Sequence, residues 1–267
     1  VGRECSTRRT LRTDTHNTGR CAQNPIGRLR GRTEVNIRSA LHAAVLTAAV
    51  LVAAPPTAMA DSERRDLQPG VPIFVVNNET QMLSECTLGW FMVSPQGTVQ
   101  ALTAGHCHTG PDIQVPDPAT GDRVTAGSWG RTLYTGDLSV LSGTDIATVT
   151  LSPDRGHSAV PRHGAIPVGV SSAQDLSENP PAVICKQGST TGVSCGRMVS
   201  VSDERIAFRA KVHQRDSGGP VWAVSRSGEV TAVGIAVGQS DDDPSVAVGQ
   251  LFNPWLIRWG ATLAVPR

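Results

Sequence analysis

From residue 71 onward the chain sets short apolar runs between clusters of turn-forming residues. The runs lie at 71–76 (VPIFVV), 87–93 (TLGWFMV), 98–103 (TVQALT), 146–151 (IATVTL), 182–185, 198–201, 220–224 and 230–237. Each is four to eight residues long, the length of a strand, and Gly, Pro, Asn, Asp or Ser stands between them. Many short strands at close spacing predict an all-β sandwich or barrel. The pattern changes near the end. Asn253 is placed to cap a helix with Pro254 in its first turn. Trp255 and Trp259, four apart, would then share one face of a short C-terminal helix.

One apolar stretch does not fit that rhythm. Residues 41–54 (LHAAVLTAAVLVAA) follow Arg28, Arg30, Arg32 and Arg38 and precede Ala58-Met59-Ala60. A basic flank, a short apolar core and an A-x-A end read as a signal peptide over 28–60, cut after Ala60. The alternative is an uncleaved anchor, but the run is short for about 30 Å of hydrocarbon and Pro55-Pro56 ends it. Residues 1–27 are polar, rich in Arg and Thr, and without periodicity, so no fold is expected there. The reading is export to a secreted or envelope-associated location. No stable membrane span remains after the signal is removed, and the folded domain runs from 61 to 267.

Charge divides the same way. The whole chain carries +1, but residues 1–60 hold nine arginines against three acids, which leaves the remainder mildly acidic. A basic stripe for phosphates is missing, which argues against a nucleic-acid partner. Four cysteines fall in the expected domain: Cys86, Cys107, Cys185 and Cys195. An even number in an exported chain points to two disulfides, and four cysteines allow three pairings. Zinc is the alternative, but no C-x-x-C is present.

Two motifs carry chemistry. Arg215-Asp216-Ser217-Gly218-Gly219-Pro220 puts a serine in a tight turn followed by two glycines. A serine hydroxyl needs a neighbouring base to act as a nucleophile, and backbone N–H groups aimed at the developing oxyanion. Leu102-Thr103-Ala104-Gly105-His106-Cys107 places a histidine at the end of an apolar strand, and imidazole is the usual general base near neutral pH. The third group should be a buried acid that fixes the imidazole tautomer. Asp145, at the edge of the apolar segment TDIATV, is favoured over Asp137, whose neighbours are more turn-like. His106, Asp145 and Ser217 are therefore the candidate catalytic residues. Their order along the chain is that of the chymotrypsin arrangement.

With those residues named, the chain resembles the chymotrypsin-fold serine peptidases. It is nearest to the secreted bacterial branch typified by streptogrisins and alpha-lytic protease. Four segments between 71 and 260 carry the likeness: Cys86 to Trp90, Leu102 to Cys107, Cys185 to Gly196, and Asp216 to Pro220. The resemblance implies two antiparallel six-stranded β-barrels, about 71–160 and 175–250, with the site between them. It also implies the disulfides 86–107 and 185–195, an oxyanion hole from the N–H groups of Arg215 and Ser217, and a protein or peptide substrate. No cofactor or metal is implied. Without the freed N-terminus of the animal enzymes, Lys186 is expected to pair with Asp216 and shape the oxyanion turn.

The departures are informative. Arg215 stands where the family usually has Gly. Val237 replaces a serine that commonly supports the triad acid. Gln239 stands where a glycine often leaves the pocket open. Lys211 lies where trypsin-like enzymes carry an acid, so cleavage after Arg or Lys is not expected. Lys211 and His213, with Val237 and Gln239, are the candidate substrate-binding residues, and an acidic side chain is one reading of that pair. His108, His157 and His163 are read as loop residues, Asp241-Asp242-Asp243 as a solvated loop rather than a calcium site, and Asn78-Glu79-Thr80 as a chance sequon. Two other readings stay open: a peptidase-fold binding protein with little turnover, and a narrow esterase. The sequence does not indicate an oligomeric state.

Overall fold

A computed structural model describes residues 67–136 and 142–266. The leader expected at 28–60, residues 1–27 and the rival acid Asp137 lie outside the described residues. All of the described chain falls in one compact unit, Ala54–Arg267. Among the described residues no helix is long and apolar enough to cross a membrane.

The chain forms two antiparallel sheets. The first holds β1 (Pro72–Val76), β2 (Leu83–Thr87), β3 (Phe91–Val93), β4 (Val99–Thr103), β5 (Asp112–Pro116), β6 (Arg123–Tyr134), β7 (Asp145–Leu151) and the late β15 (Thr262–Leu263). Its order is β15-β3-β4-β7-β6-β5-β1-β2. The second holds β8 (Val183–Gly188), β9 (Gly192–Gly196), β10 (Met198–Val201), β11 (Arg205–Arg209), β12 (Pro220–Val224), β13 (Val230–Gln239) and β14 (Val246–Leu251). Its order is β10-β11-β14-β13-β12-β8-β9.

Connection lengths force both sheets to curl. β9 and β10 sit at opposite ends of the second sheet, yet one residue, Arg197, joins them. Laid flat, six inter-strand steps would separate them by about 29 Å, while two Cα steps reach about 7 Å. β2 and β3, near opposite ends of the first sheet, are likewise brought together by the short connection 88–90. The fold is thus all-β and double-barrelled, with eight and seven strands in its sheets against the six per barrel that the resemblance implies. The extra count in the first sheet includes β15, which returns from the C-terminus to pair with β3.

Alternation decides the faces. In β1 the inward residues Ile73 and Val75 are buried while their neighbours are partly exposed. All six residues of β14 are buried, as are Ala232–Val237 of β13, because these strands are covered on both sides. Trp90, fully buried between β2 and β3, donates its indole N–H to the Val221 carbonyl of β12 at 3.2 Å and so ties one barrel to the other.

The structure adds and corrects local detail. A helix over Ala173–Glu178 (α1) was not expected; Ser172 and Asp175 form its capping box. The apolar run at 87–93 divides into the end of β2 and β3, separated by Leu88, Gly89 and Trp90. The terminal helix (α2) spans Asn253–Trp259, but Phe252 is its cap and Asn253 is its first residue. The backbone already turns helical at Phe252, so the Asn253 side chain makes no capping bond. Trp255 and Trp259 meet as expected, with ring centroids 5.7 Å apart.

His163, expected to be an unremarkable loop residue, is packed between the barrels. Its ring stacks on Trp222 at 3.7 Å and meets Trp90 edge-on at 6.3 Å. Nδ1 accepts the Ala165 N–H, and Nε2 is buried without a partner. Burial disfavours the imidazolium and lowers the pKa to about 4. The unfolded chain takes up a proton near pH 6.5, the folded one near 4. Stability from this residue is complete above pH 6.5 and is lost as pH falls toward 4. We expect the parent to lose about 1–2 kcal/mol across that interval, after allowing for solvent screening of a partly exposed ring. Urea unfolding at pH 7 and 4.5 should show a smaller loss for His163→Phe than for the parent.

Candidate active site

His106 lies on a one-turn 3₁₀ helix, Gly105–Cys107, that follows β4. The Cys86–Cys107 disulfide fastens that turn to β2. Asp145 is the first residue of β7 and is fully buried, whereas the His106 side chain is 28% exposed. One carboxylate oxygen, Oδ1, accepts the His106 backbone N–H at 2.9 Å, and Oδ2 lies 2.7 Å from Nδ1. An ionised buried carboxylate accepts a hydrogen bond, so the ring proton belongs on Nδ1. In the neutral ring that tautomer leaves Nε2 as the acceptor.

Asp145 is held from behind as well. Its N–H donates to Gln250 Oε1 at 2.9 Å, and the Gln250 amide in turn donates to the Glu204 and Leu251 carbonyls. Gln250 is itself fully buried. Val237, where a serine commonly supports the acid, is buried and apolar and offers no such bond. Among the described residues, both bonds to the Asp145 carboxylate come from His106.

Ser217 sits in the turn before β12. Gly218 has φ of +88°, and a Cβ there would lie 2.1 Å from Thr103 Oγ1, so both backbone and space demand glycine. Its N–H donates to the Ala236 carbonyl at 2.7 Å, and Ala236 N–H returns to Gly219 at 2.8 Å. The nucleophile candidate is thereby docked on β13.

Asp216, just before it, is the centre of a buried network. Lys186 Nζ lies 2.8 Å from Asp216 Oδ2, and neither side chain is exposed. The carboxylate also accepts the N–H groups of Thr190, Thr191 and His213, and the Thr191 hydroxyl. Lys186 further donates to the Thr191 hydroxyl and the Gly192 carbonyl. Burial works to raise the Asp216 pKa, but hydrogen bonds from Lys186 and Thr191 outweigh it, and the carboxyl is held below its ordinary value. Burial lowers the Lys186 ammonium, offset in part by Asp216. The Cys185–Cys195 disulfide flanks this network.

His106 and Ser217 line one groove of about 420 Å³ with Leu83, Ser84, Glu85, Cys86, Cys107, Gln214 and Arg215. Two larger hollows, of 610 and 660 Å³, contain none of the three candidate catalytic residues. Size alone would not single out this groove; what distinguishes it is that His106 and Ser217 both line it. Among the described residues no hydrogen bond reaches Ser217 Oγ. Such bonds are often loose without substrate.

The turn presents its N–H groups and hides its carbonyls. Thr190 donates its hydroxyl to Gln214 O at 2.9 Å, and Thr87 and Ser189 donate theirs to Arg215 O at 2.7 and 2.9 Å. Thr87 N–H donates to Ser217 O at 2.8 Å. Among the described residues, the N–H groups of Arg215 and Ser217 have no acceptor. Arg215 adopts φ of +80°, the left-handed region that explains the glycine usual here. Its side chain reaches Glu85 at 3.2 Å.

The candidate substrate-binding residues are not part of this groove. Lys211 and His213 are exposed on the loop before Ser217, Val237 is buried at an irregularity in β13, and Gln239 is exposed at the end of that strand. Sequence reasoning missed Thr87, Glu85, Ser189, Thr190 and Gln250, whose partners are distant in the chain. It also missed Tyr134, the one tyrosine, whose ring centroid lies 6.0 Å from that of His106. Its position opposite Asp145 in the β6–β7 register was the available signal, legible once the strands were paired.

No family model matches the chain, and no curated protein matches it. Solved structures do. A Nocardiopsis protease aligns at a TM-score of 0.52 and 22% identity, over 75% of this chain and 100% of its own. Protease A of Thermobifida fusca aligns at 0.52 and 19% identity, over 74% and 100%. A glutamic acid-specific serine protease described as using a histidine triad in substrate binding aligns at 0.55 and 19% identity, over 74% and 100%. At these identities the likeness speaks for architecture. The chain has the chymotrypsin-like double-barrel fold of the serine proteases it resembles.

Proposed function

We propose that the protein is a secreted serine endopeptidase acting through His106, Asp145 and Ser217. The observation that carries this reading is a serine and an imidazole lining one groove, with the imidazole 2.7 Å from a buried carboxylate behind it. In this reading His106 Nε2 takes the Ser217 proton as Oγ attacks the scissile carbonyl. Asp145 keeps the proton on Nδ1 and stabilises the imidazolium that forms. The N–H groups of Arg215 and Ser217 receive the oxyanion. His106 then protonates the departing amine, and water attacks the acyl-enzyme by the same route in reverse.

The two disulfides favour an oxidising, extracytoplasmic compartment. The barrels at about 71–160 and 175–250 would contribute His106 with Asp145 and Ser217 respectively. Lys211 and His213 lie near enough in sequence to Ser217 to influence the residue accepted before the cleaved bond.

Turnover of a mixed peptide pool, with ester analogues alongside, tests the reading. We expect amide hydrolysis that falls at least about a thousandfold in Ser217→Ala. Ester hydrolysis without amide hydrolysis would assign a narrow esterase. Binding of peptide without hydrolysis of either would assign a binding protein on the same fold.

A further inference from the structure

The Arg215 position poses a problem that the structure answers. The backbone there is left-handed, a conformation that a side chain resists. Nothing within residue 215 itself favours that state. The opposing strand, β2, supplies what does. Glu85 and Thr87 are two apart, so their side chains leave the same face of the strand. Both close on residue 215. Thr87 Oγ1 donates to the Arg215 carbonyl at 2.7 Å, and Glu85 Oε2 lies 3.2 Å from Arg215 Nη1.

Thr87 is fully buried and has no polar group left over. Its N–H donates to Ser217 O at 2.8 Å and its hydroxyl accepts the Ser189 N–H at 2.9 Å. Its carbonyl accepts the Thr103 hydroxyl at 3.0 Å. One residue thus fixes the carbonyls on both sides of Asp216. The Arg215 and Ser217 N–H groups share their peptide units with Gln214 O and Asp216 O, which accept the Thr190 hydroxyl and the Gly219 N–H. Thr87 therefore fixes the backbone on the far side of each of these two residues and leaves both N–H groups without an acceptor among the described residues.

We propose that Glu85 and Thr87 are positioning residues for the oxyanion turn: Thr87 grips its backbone, and Glu85 grips the Arg215 side chain, holding a non-glycine residue in a glycine conformation. This rests on the catalytic reading above. The two grips differ in what they need. The Thr87 grip acts on backbone and is indifferent to the residue at 215. The Glu85 grip exists only while an arginine is there.

The test pairs each variant with Arg215→Gly and reads both turnover and backbone order. ¹⁵N relaxation on the full chain reports the order of the 215 and 217 N–H groups without needing activity. We expect Glu85→Gln to lower kcat several-fold and loosen residue 215 in the parent, and to do neither in the Arg215→Gly background. Thr87→Val should lower kcat at least about tenfold in both backgrounds with KM changed less than twofold, as expected for loss of transition-state contacts. Thr87→Ser, which keeps the hydroxyl, should restore both order and turnover even if the valine variant folds poorly. Equal effects of Glu85→Gln in the two backgrounds, or Thr87→Ser behaving like Thr87→Val, would overturn the proposal. A parent without turnover whose turn loosens as described upholds the grip and refutes the peptidase reading. A parent with turnover and an unchanged turn does the opposite.

Discussion

Lys186→Met should cost the protein about 3–5 kcal/mol of stability, the loss typical when one partner of a buried ion pair is removed. The methionine fills similar space, so little of this is packing. The cost comes from Asp216, left with no cation in a site where neither side chain is exposed. Three backbone N–H groups and the Thr191 hydroxyl still bond the carboxylate, which is why the loss should not exceed that range. Adding Asp216→Asn removes the stranded charge and should recover much of the stability. The sign with pH is fixed by Asp216. Its pKa is held below the ordinary carboxylate value, so its contribution is present above that value and disappears as pH falls through the folded one. Chemical unfolding of parent, single and double variants at pH 7 measures the first effect. Repeating it below pH 4 should shrink the gap between parent and Lys186→Met.

Asp145→Asn has the other large expected effect, and on rate rather than stability. The amide is nearly isosteric with the carboxylate and still offers one oxygen. What changes is the preferred tautomer, because the amide nitrogen is a donor and favours an unprotonated Nδ1. Nε2 then carries the proton and is unable to accept one from Ser217. The corresponding substitution in the type enzyme of this fold lowers kcat about 10⁴-fold, and we expect a loss of that order here. Gln250 holds the backbone at 145 in either case, so the unfolding midpoint should move little by comparison. A loss below tenfold would mean that Asp145 does not set the tautomer.

The catalytic candidates were legible because each is announced by its immediate neighbours. Ser217 is marked by the two glycines behind it. His106 is marked by the apolar run ahead of it, and Asp145 by the β-rich stretch it opens. The Lys186–Asp216 pair was also expected and is found at 2.8 Å. The supports were not legible, since each works across the fold. Thr87 reaches residue 215, and Gln250 reaches 145 from the end of a strand whose register had to be known first. A short terminal helix was readable from its proline and paired tryptophans, but its cap was not. The cap depends on the backbone at Phe252 rather than on a side chain. α1 was missed although Ser172 and Asp175 are a capping-box pair, because six residues give too little periodicity to see. His163 carries no local mark at all. Its burial is decided by Trp90 and Trp222, far away in sequence.

In the proposed mechanism Ser217 is made reactive by His106. Covalent labelling by a fluorophosphonate, followed by peptide mapping, addresses it most directly. We expect one label per chain, on Ser217, forming fast in the parent and at least about a hundredfold more slowly in His106→Ala. A folded parent that takes no label, or takes it at another residue, would contradict it.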